Sequence, residues 1–82
     1  MNNEIETLLK ELYEFQVVKN HRVAQINKDL NEDFDVEYNK SLETIKYLEQ
    51  RGLVKKEFQA TGFIGVTLTA FGIDYVKDNL LA

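Results

Sequence analysis

The sequence predicts an α+β fold, mostly helical, with three helices, a two-stranded β-hairpin and a C-terminal helix in one domain over residues 1–82. Three observations predict it. Residues 37–53 carry a helical stripe (Leu42, Ile45, Leu48, with Tyr38 one turn earlier) that stops at Gly52. Two short β-rich runs, 53–58 and 63–68, follow directly. Apolar residues at 3-4 spacing then mark helices at both ends of the chain.

Taken in order, Asn2 or Asn3 offers a first N-cap, and Glu4 and Glu6 suit the positive end of a helix dipole. Ile5, Leu8, Leu9, Leu12 and Phe15 then place helix one over residues 4–17, with Lys10, Glu11 and Glu14 on its wet side. Residues 17–22, with two β-branched valines and Asn20, read as a loop that leads to a short extended piece near Arg22 and Val23. The i, i+3, i+7 spacing of Val23, Ile26 and Leu30 predicts a short second helix over 23–31. The polar stretch 31–35 then turns the chain, and Asp33 or Asp35 can cap the next helix.

Helix three runs to Arg51. Gly52 is its natural C′ residue because glycine takes the left-handed conformation without a Cβ penalty. Ile64, Val66 and Leu68 alternate with Gly65, Thr67 and Thr69, the half-buried strand pattern, and Gln59-Ala60-Thr61-Gly62 is a four-residue hairpin connection. Thr69 caps a last helix, 70–80, with Phe71, Tyr75, Val76 and Leu80 as its inward stripe. Gly72 costs that helix about 1 kcal/mol relative to alanine, which points to close backbone packing.

Composition narrows the function classes. A chain of 82 residues with 44% apolar and 11% aromatic residues can build one small core. Without cysteine there is no disulfide and no thiolate metal site, and neither a long apolar run nor a signal-like start is present, so a cytoplasmic setting is expected. The formal net charge is −4, but its distribution is uneven. Lys19, Arg22 and Lys28 stand in an acid-free stretch of +3, and residues 38–56 carry another +3 from Lys40, Lys46, Arg51, Lys55 and Lys56 against Glu43 and Glu49. The remainder sums to −10, so positive charge gathers around helix three.

Sites of chemistry find little support. Residues 29–37 imitate the start of a calcium loop, but Phe34 replaces the required glycine and Lys40 the closing bidentate glutamate, so a capped, solvated turn is the better account. His21 is the only histidine, and no second ligand stands at i+3 or i+4. Ser41, the only serine, points toward the core stripe, and no phosphate-cradling glycine loop exists, so no enzyme and no cofactor are expected. Tyr13 and Tyr75 read as core-edge residues with a wet hydroxyl. The tyrosines form no interleaved aromatic pair on a sheet, which a single-strand-binding reading would need.

The order of elements, with L-E-Q-R-G-L-V at residues 48–54 and L-T-A-F-G-I-D-Y-V at 68–76, resembles the winged helix-turn-helix superfamily, nearest to small MarR-like and PadR-like prokaryotic regulators. The resemblance covers residues 5–80 and is more specific for the fold than for a target. It implies sequence-specific binding of double-stranded DNA by a transcriptional regulator, with helix 38–51 in the major groove and the hairpin as a wing. Mapped residue by residue, the reading face holds Tyr38, Asn39, Lys40, Glu43, Thr44 and Tyr47. Asn39 has the chemistry to read adenine, and Thr44 and the tyrosines can meet base edges, thymine methyls or phosphates. Lys40, Lys46, Arg51, Lys55 and Lys56 are phosphate candidates, with Arg22 and Lys28 from the helix-two side.

Two departures from the family pattern stand out. The wing tip, Gln59-Ala60-Thr61-Gly62-Phe63, has no base where those regulators commonly carry an arginine, and Glu43 would repel phosphate unless it accepts from a cytosine amine. A homodimer is expected, because two half-sites multiply the affinity of a minimal domain; its candidate surface is Leu9, Tyr13, Ile73, Leu80 and Leu81. The alternative is a winged helix that binds a protein partner rather than DNA.

Overall fold

A computed structural model of the chain describes residues 3–27 and 38–81. Helix α1 (Asn3–Tyr13) starts with Glu4 and Glu6 in its first turn and buries Leu8, Leu9 and Leu12. The coil continues over Glu14–Val18 in a wider turn, where the Lys19 amide donates to the Glu14 carbonyl five residues back at 2.9 Å. Asn20 then reverses the chain at φ +62°, a left-handed conformation that asparagine tolerates better than most residues. His21 stacks on Phe15, with ring centroids 4.3 Å apart, so the lone histidine closes this corner.

The next element is a strand and not the expected second helix. Residues 24–27 form β1 (Ala24–Asn27), antiparallel to a later strand. Ala24 and Ile26 are fully buried while Gln25 is exposed, a period of two rather than 3.6. The rest of that expected helix, the turn at 31–35 with Asp33 and Asp35, Lys28 and the calcium-like stretch from Asp29 to Glu37 lie outside the described residues.

Helix α2 (Tyr38–Gln50) buries Ser41, Ile45 and Leu48, with Tyr38 and Leu42 packed against the core from its edges. It ends as the glycine predicted: Gly52 adopts φ +76°. The Leu53 amide donates to the Leu48 carbonyl at 3.0 Å and the Gly52 amide to that of Glu49 at 3.1 Å. These are the paired 6→1 and 5→2 bonds of a Schellman close, and both Leu48 and Leu53 are buried.

Strands β2 (Val54–Ala60) and β3 (Phe63–Leu68) form the hairpin. They pair up to Ala60 and Phe63, so the connection is the two residues Thr61 and Gly62, with Gly62 at φ +88°, rather than four. With β1 on the other side of β3, the hairpin becomes a three-stranded antiparallel sheet of order β1-β3-β2. One face of the sheet, with Ala24, Ile26, Ile64, Val66, Leu68 and Val54, joins the leucines of α1 and α2 in a single core. Each buried Val, Leu or Ile side chain contributes roughly 1.5–3 kcal/mol, and Ala24 less.

Thr69 caps helix α3 (Ala70–Tyr75), its hydroxyl accepting from the Gly72 amide at 2.9 Å, and a wider turn, Val76–Leu80, completes the C-terminal coil. Three of the four residues expected on the inward stripe lie there, Val76 buried and Tyr75 and Leu80 packed against the core, and only Phe71 departs. Gly72 and Val76 are buried, whereas Phe71 is 60% exposed. The cause is the seat of Gly72: a Cβ there would run into the Leu53 carbonyl, so the helix turns its bare backbone to the α2–β2 joint and swings Phe71 outward. The result is a small α+β fold. Among the described residues, no helix is long and apolar enough to cross a membrane.

Candidate functional site

Burial divides α2 into a core stripe and three solvent-facing rows. Asn39, Glu43 and Lys46 are exposed at i, i+4 and i+7, on the side away from the core. Lys40, half-buried Thr44 and Tyr47, and exposed Arg51 just beyond the helix follow one another at helical spacing on a second side, whose Lys40 end lies near α1. There the Lys40 ammonium lies 4.0 Å from the Glu4 carboxylate, with both side chains largely in water. Such an exposed contact is worth little and yields readily to another anion. The Thr44 hydroxyl donates to the Lys40 carbonyl at 3.0 Å, keeping its oxygen lone pairs outward as acceptors. The Arg51 guanidinium sits 5.0 Å over the Tyr47 ring, one turn away.

The third flank faces the hairpin. Leu42, Lys46 and Glu49 from α2 meet Lys56, Gln59 and Ile64 around an open cleft of about 310 Å³ floored by Ile45. The Lys56 ammonium donates to the Gln59 side-chain oxygen at 3.2 Å along the rim. Lys46 and Lys56 therefore line one cleft, although ten positions separate them in sequence.

Of the base-reading candidates, Asn39, Lys40 and Glu43 are exposed, while Tyr38, Thr44 and Tyr47 are half-buried, the two tyrosines packing against the core. The phosphate candidates Arg22, Lys46, Arg51, Lys55 and Lys56 are all exposed, but they do not form one surface. Lys55 and Lys56 are neighbours on a strand, so they point to opposite sides of the sheet. Lys56 pairs with buried Val66 and faces α2; Lys55 pairs with Thr67 and faces away, 4.0 Å from Glu57. Arg22 leads into β1, the edge strand opposite the one that carries Lys55 and Lys56.

The dimer candidates also divide. Leu9 is fully enclosed in the chain's own core, packed there by Leu8 and Leu12, and so presents nothing to a second copy. Ile73 and Leu80 are partly buried against that core. Tyr13 and Leu81 do come together, lining an open groove of about 550 Å³ along α1 with Thr7, Lys10, Glu11, Glu14, Val18 and Lys19. Val18 and Leu81 are more than half exposed there.

The joint between α2 and the hairpin is the most constrained part of the site. The Thr69 hydroxyl donates to the Gly52 carbonyl at 2.6 Å, and the Thr69 amide to the Leu53 carbonyl at 3.1 Å. With Gly72 pressed on Leu53, these bonds hold the angle between α2 and β2. Nothing in the local pattern identified Thr69 as a clamp as well as a cap. Gln16 is a second residue the sequence left unmarked: its oxygen accepts from the Leu68 amide at 2.8 Å and its nitrogen donates to the Arg22 carbonyl at 3.0 Å, tying the end of α1 to β3.

No protein-family model matches the chain, and no curated protein is significantly similar to it.

Proposed function

We propose that this domain is a winged helix-turn-helix module that binds double-stranded DNA and regulates transcription, with α2 presented to the major groove. The observation that carries the reading is the exposed row Asn39, Glu43 and Lys46 on a helix that turns directly into a hairpin, where Lys56 flanks the same cleft as Lys46. A helix of 13 residues is roughly 20 Å long and fits a groove about 12 Å wide. In this reading Asn39 meets a base edge, Lys40 exchanges Glu4 for a phosphate, and Lys46, Arg51 and Lys56 position the duplex. Arg22 and Lys55 stand apart from that surface and contribute less. A second copy docks along the α1 groove lined by Tyr13, Val18 and Leu81, so that two α2 helices reach two half-sites.

The test is a titration of mixed-sequence duplex DNA at several salt concentrations, beginning near 50 mM. The expected result is a steep loss of affinity with salt, and the double variant Lys46→Ala, Lys56→Ala lowers the log–log slope by about one per lysine. A sample shown to be folded that binds no duplex at low salt would refute the DNA reading. It would favour a protein partner, a second reading supported by Glu43 in the middle of the row and by the exposed ring of Phe71.

A further inference from the structure

The sheet has a second face, away from the helices, and its make-up stems from one irregularity. Strands β2 and β3 pair regularly from Val54↔Leu68 to Lys56↔Val66; the next pair is Phe58↔Gly65, so Glu57 is an extra residue on β2. Without that bulge, Phe58 would share the side of Lys56 and face α2. The inserted residue shifts the alternation by one and delivers Phe58 to the open side. There its ring lies on Gly65, where any Cβ would collide with it, and meets Phe63 edge to face at 5.8 Å between centroids. Phe58 is left 42% exposed.

Register places polar partners beside the two rings. Across the open face, Gln25 on β1 pairs with Gly65 and Asn27 with Phe63. The Gln25 amide nitrogen donates to the Asn27 oxygen at 3.1 Å, leaving the Asn27 amide protons and the Gln25 oxygen pointing away from that bond. The acid among the described residues of this face, Glu57, is engaged by the Thr67 hydroxyl at 3.0 Å and lies 4.0 Å from the Lys55 ammonium. Among the described residues, the one acid of this face is therefore already engaged, and Lys55 stands at its margin.

We propose that the open face of the sheet is a binding platform for single-stranded nucleic acid, with bases stacking on Phe58 and Phe63. The Asn27 and Gln25 amides face the edge of a stacked base, and Lys55 serves the backbone. Aromatic rings on an exposed sheet with donors and acceptors one strand away meet the chemistry of an unpaired base, whose π-face and hydrogen-bonding edge are both free. A duplex hides the π-faces and the pairing edges. The site is separate from the row on α2, because the helices pack on the other face of the sheet, and it stands whether or not α2 reads a duplex.

The chain has no tryptophan, so Phe58→Trp makes a single indole reporter that keeps the π-face. Its fluorescence is followed during titration with oligothymidylate, oligoadenylate, oligouridylate and oligoriboadenylate of about ten nucleotides, a span suited to one small domain. The DNA and RNA arms decide which backbone is preferred. Saturable quenching is expected in at least one arm. Anisotropy of the same oligonucleotides, labelled, should show Phe63→Ala and Phe58→Ala weakening binding roughly 5- to 150-fold, while Lys77→Ala, at an exposed lysine of the C-terminal coil, leaves it unchanged. Circular dichroism establishes that each variant is folded. If Phe58→Ala unfolds, Phe63→Ala and the indole signal carry the test. No quenching in any arm, or full affinity in folded Phe63→Ala, overturns the assignment and leaves the two rings to an apolar protein surface. Duplex binding measured on the same samples fails or succeeds independently.

Discussion

Gly72→Ala tests whether the joint between α2 and the hairpin is as tightly built as its contacts indicate. In an open helix this change stabilises by about 1 kcal/mol, because alanine loses less backbone entropy. Here the new methyl would occupy the position of the Leu53 carbonyl oxygen, with the Leu53 carbonyl carbon at 2.9 Å and Leu68 Cδ2 at 3.2 Å. The leucine side chain can move aside; the carbonyl cannot move freely, because it accepts from the Thr69 amide at 3.1 Å. Overpacking a rigid site costs about 1–3 kcal/mol, and weakening that hydrogen bond about 1 kcal/mol more. Set against the helix gain, the net is a destabilisation of roughly 1–3 kcal/mol. For a domain of this size that lowers the melting temperature by about 5–20 °C in a thermal melt followed by circular dichroism. A variant that melts at or above the parent temperature would show that α3 has room to retreat, and that Gly72 is not what fixes the angle of α2 to the hairpin.

The same geometry predicts two further outcomes. Gly52→Ala meets no neighbour, so its cost is conformational alone: holding alanine at φ +76° should lower stability by about 1–2 kcal/mol in urea titration, with Gly52→Asn milder, and equal midpoints for all three would contradict the Schellman close. Gln16→Ala leaves the Leu68 amide without its side-chain acceptor and should cost about 1–3 kcal/mol, whereas Gln16→Glu keeps the acceptor and should cost less; the reverse order in the same titration would refute this role.

The helices were legible because their apolar spacing is long enough to be unambiguous. Leu8, Leu9 and Leu12, or Ile45 and Leu48, bury one side of a helix wherever the rest of the chain goes. The stop at Gly52 and the cap at Thr69 were legible for the same reason: each is a local demand on backbone conformation or on an unpaired amide. Residues 24–27 were not. Ala24 and Ile26 satisfy a two-residue period and Val23 and Ile26 a helical one, and four residues are too few to choose between them. The free edge of β3 made the choice, by offering backbone partners that a local pattern does not contain.

The candidate site divides in the same way. The exposure of Asn39, Lys40 and Glu43 depends on which side of an amphipathic helix is apolar, so the sequence alone determined it. It also determined that a helix would join a hairpin through a left-handed glycine. Tertiary structure decided which distant residues share a surface. It put Lys46 beside the same cleft as Lys56, turned Lys55 to the far side of the sheet, enclosed Leu9, and through one bulge at Glu57 brought Phe58 out beside Phe63. The physical reason is that register across strands is set by pairing between segments distant in the chain, and a single inserted residue reverses which side every later side chain takes.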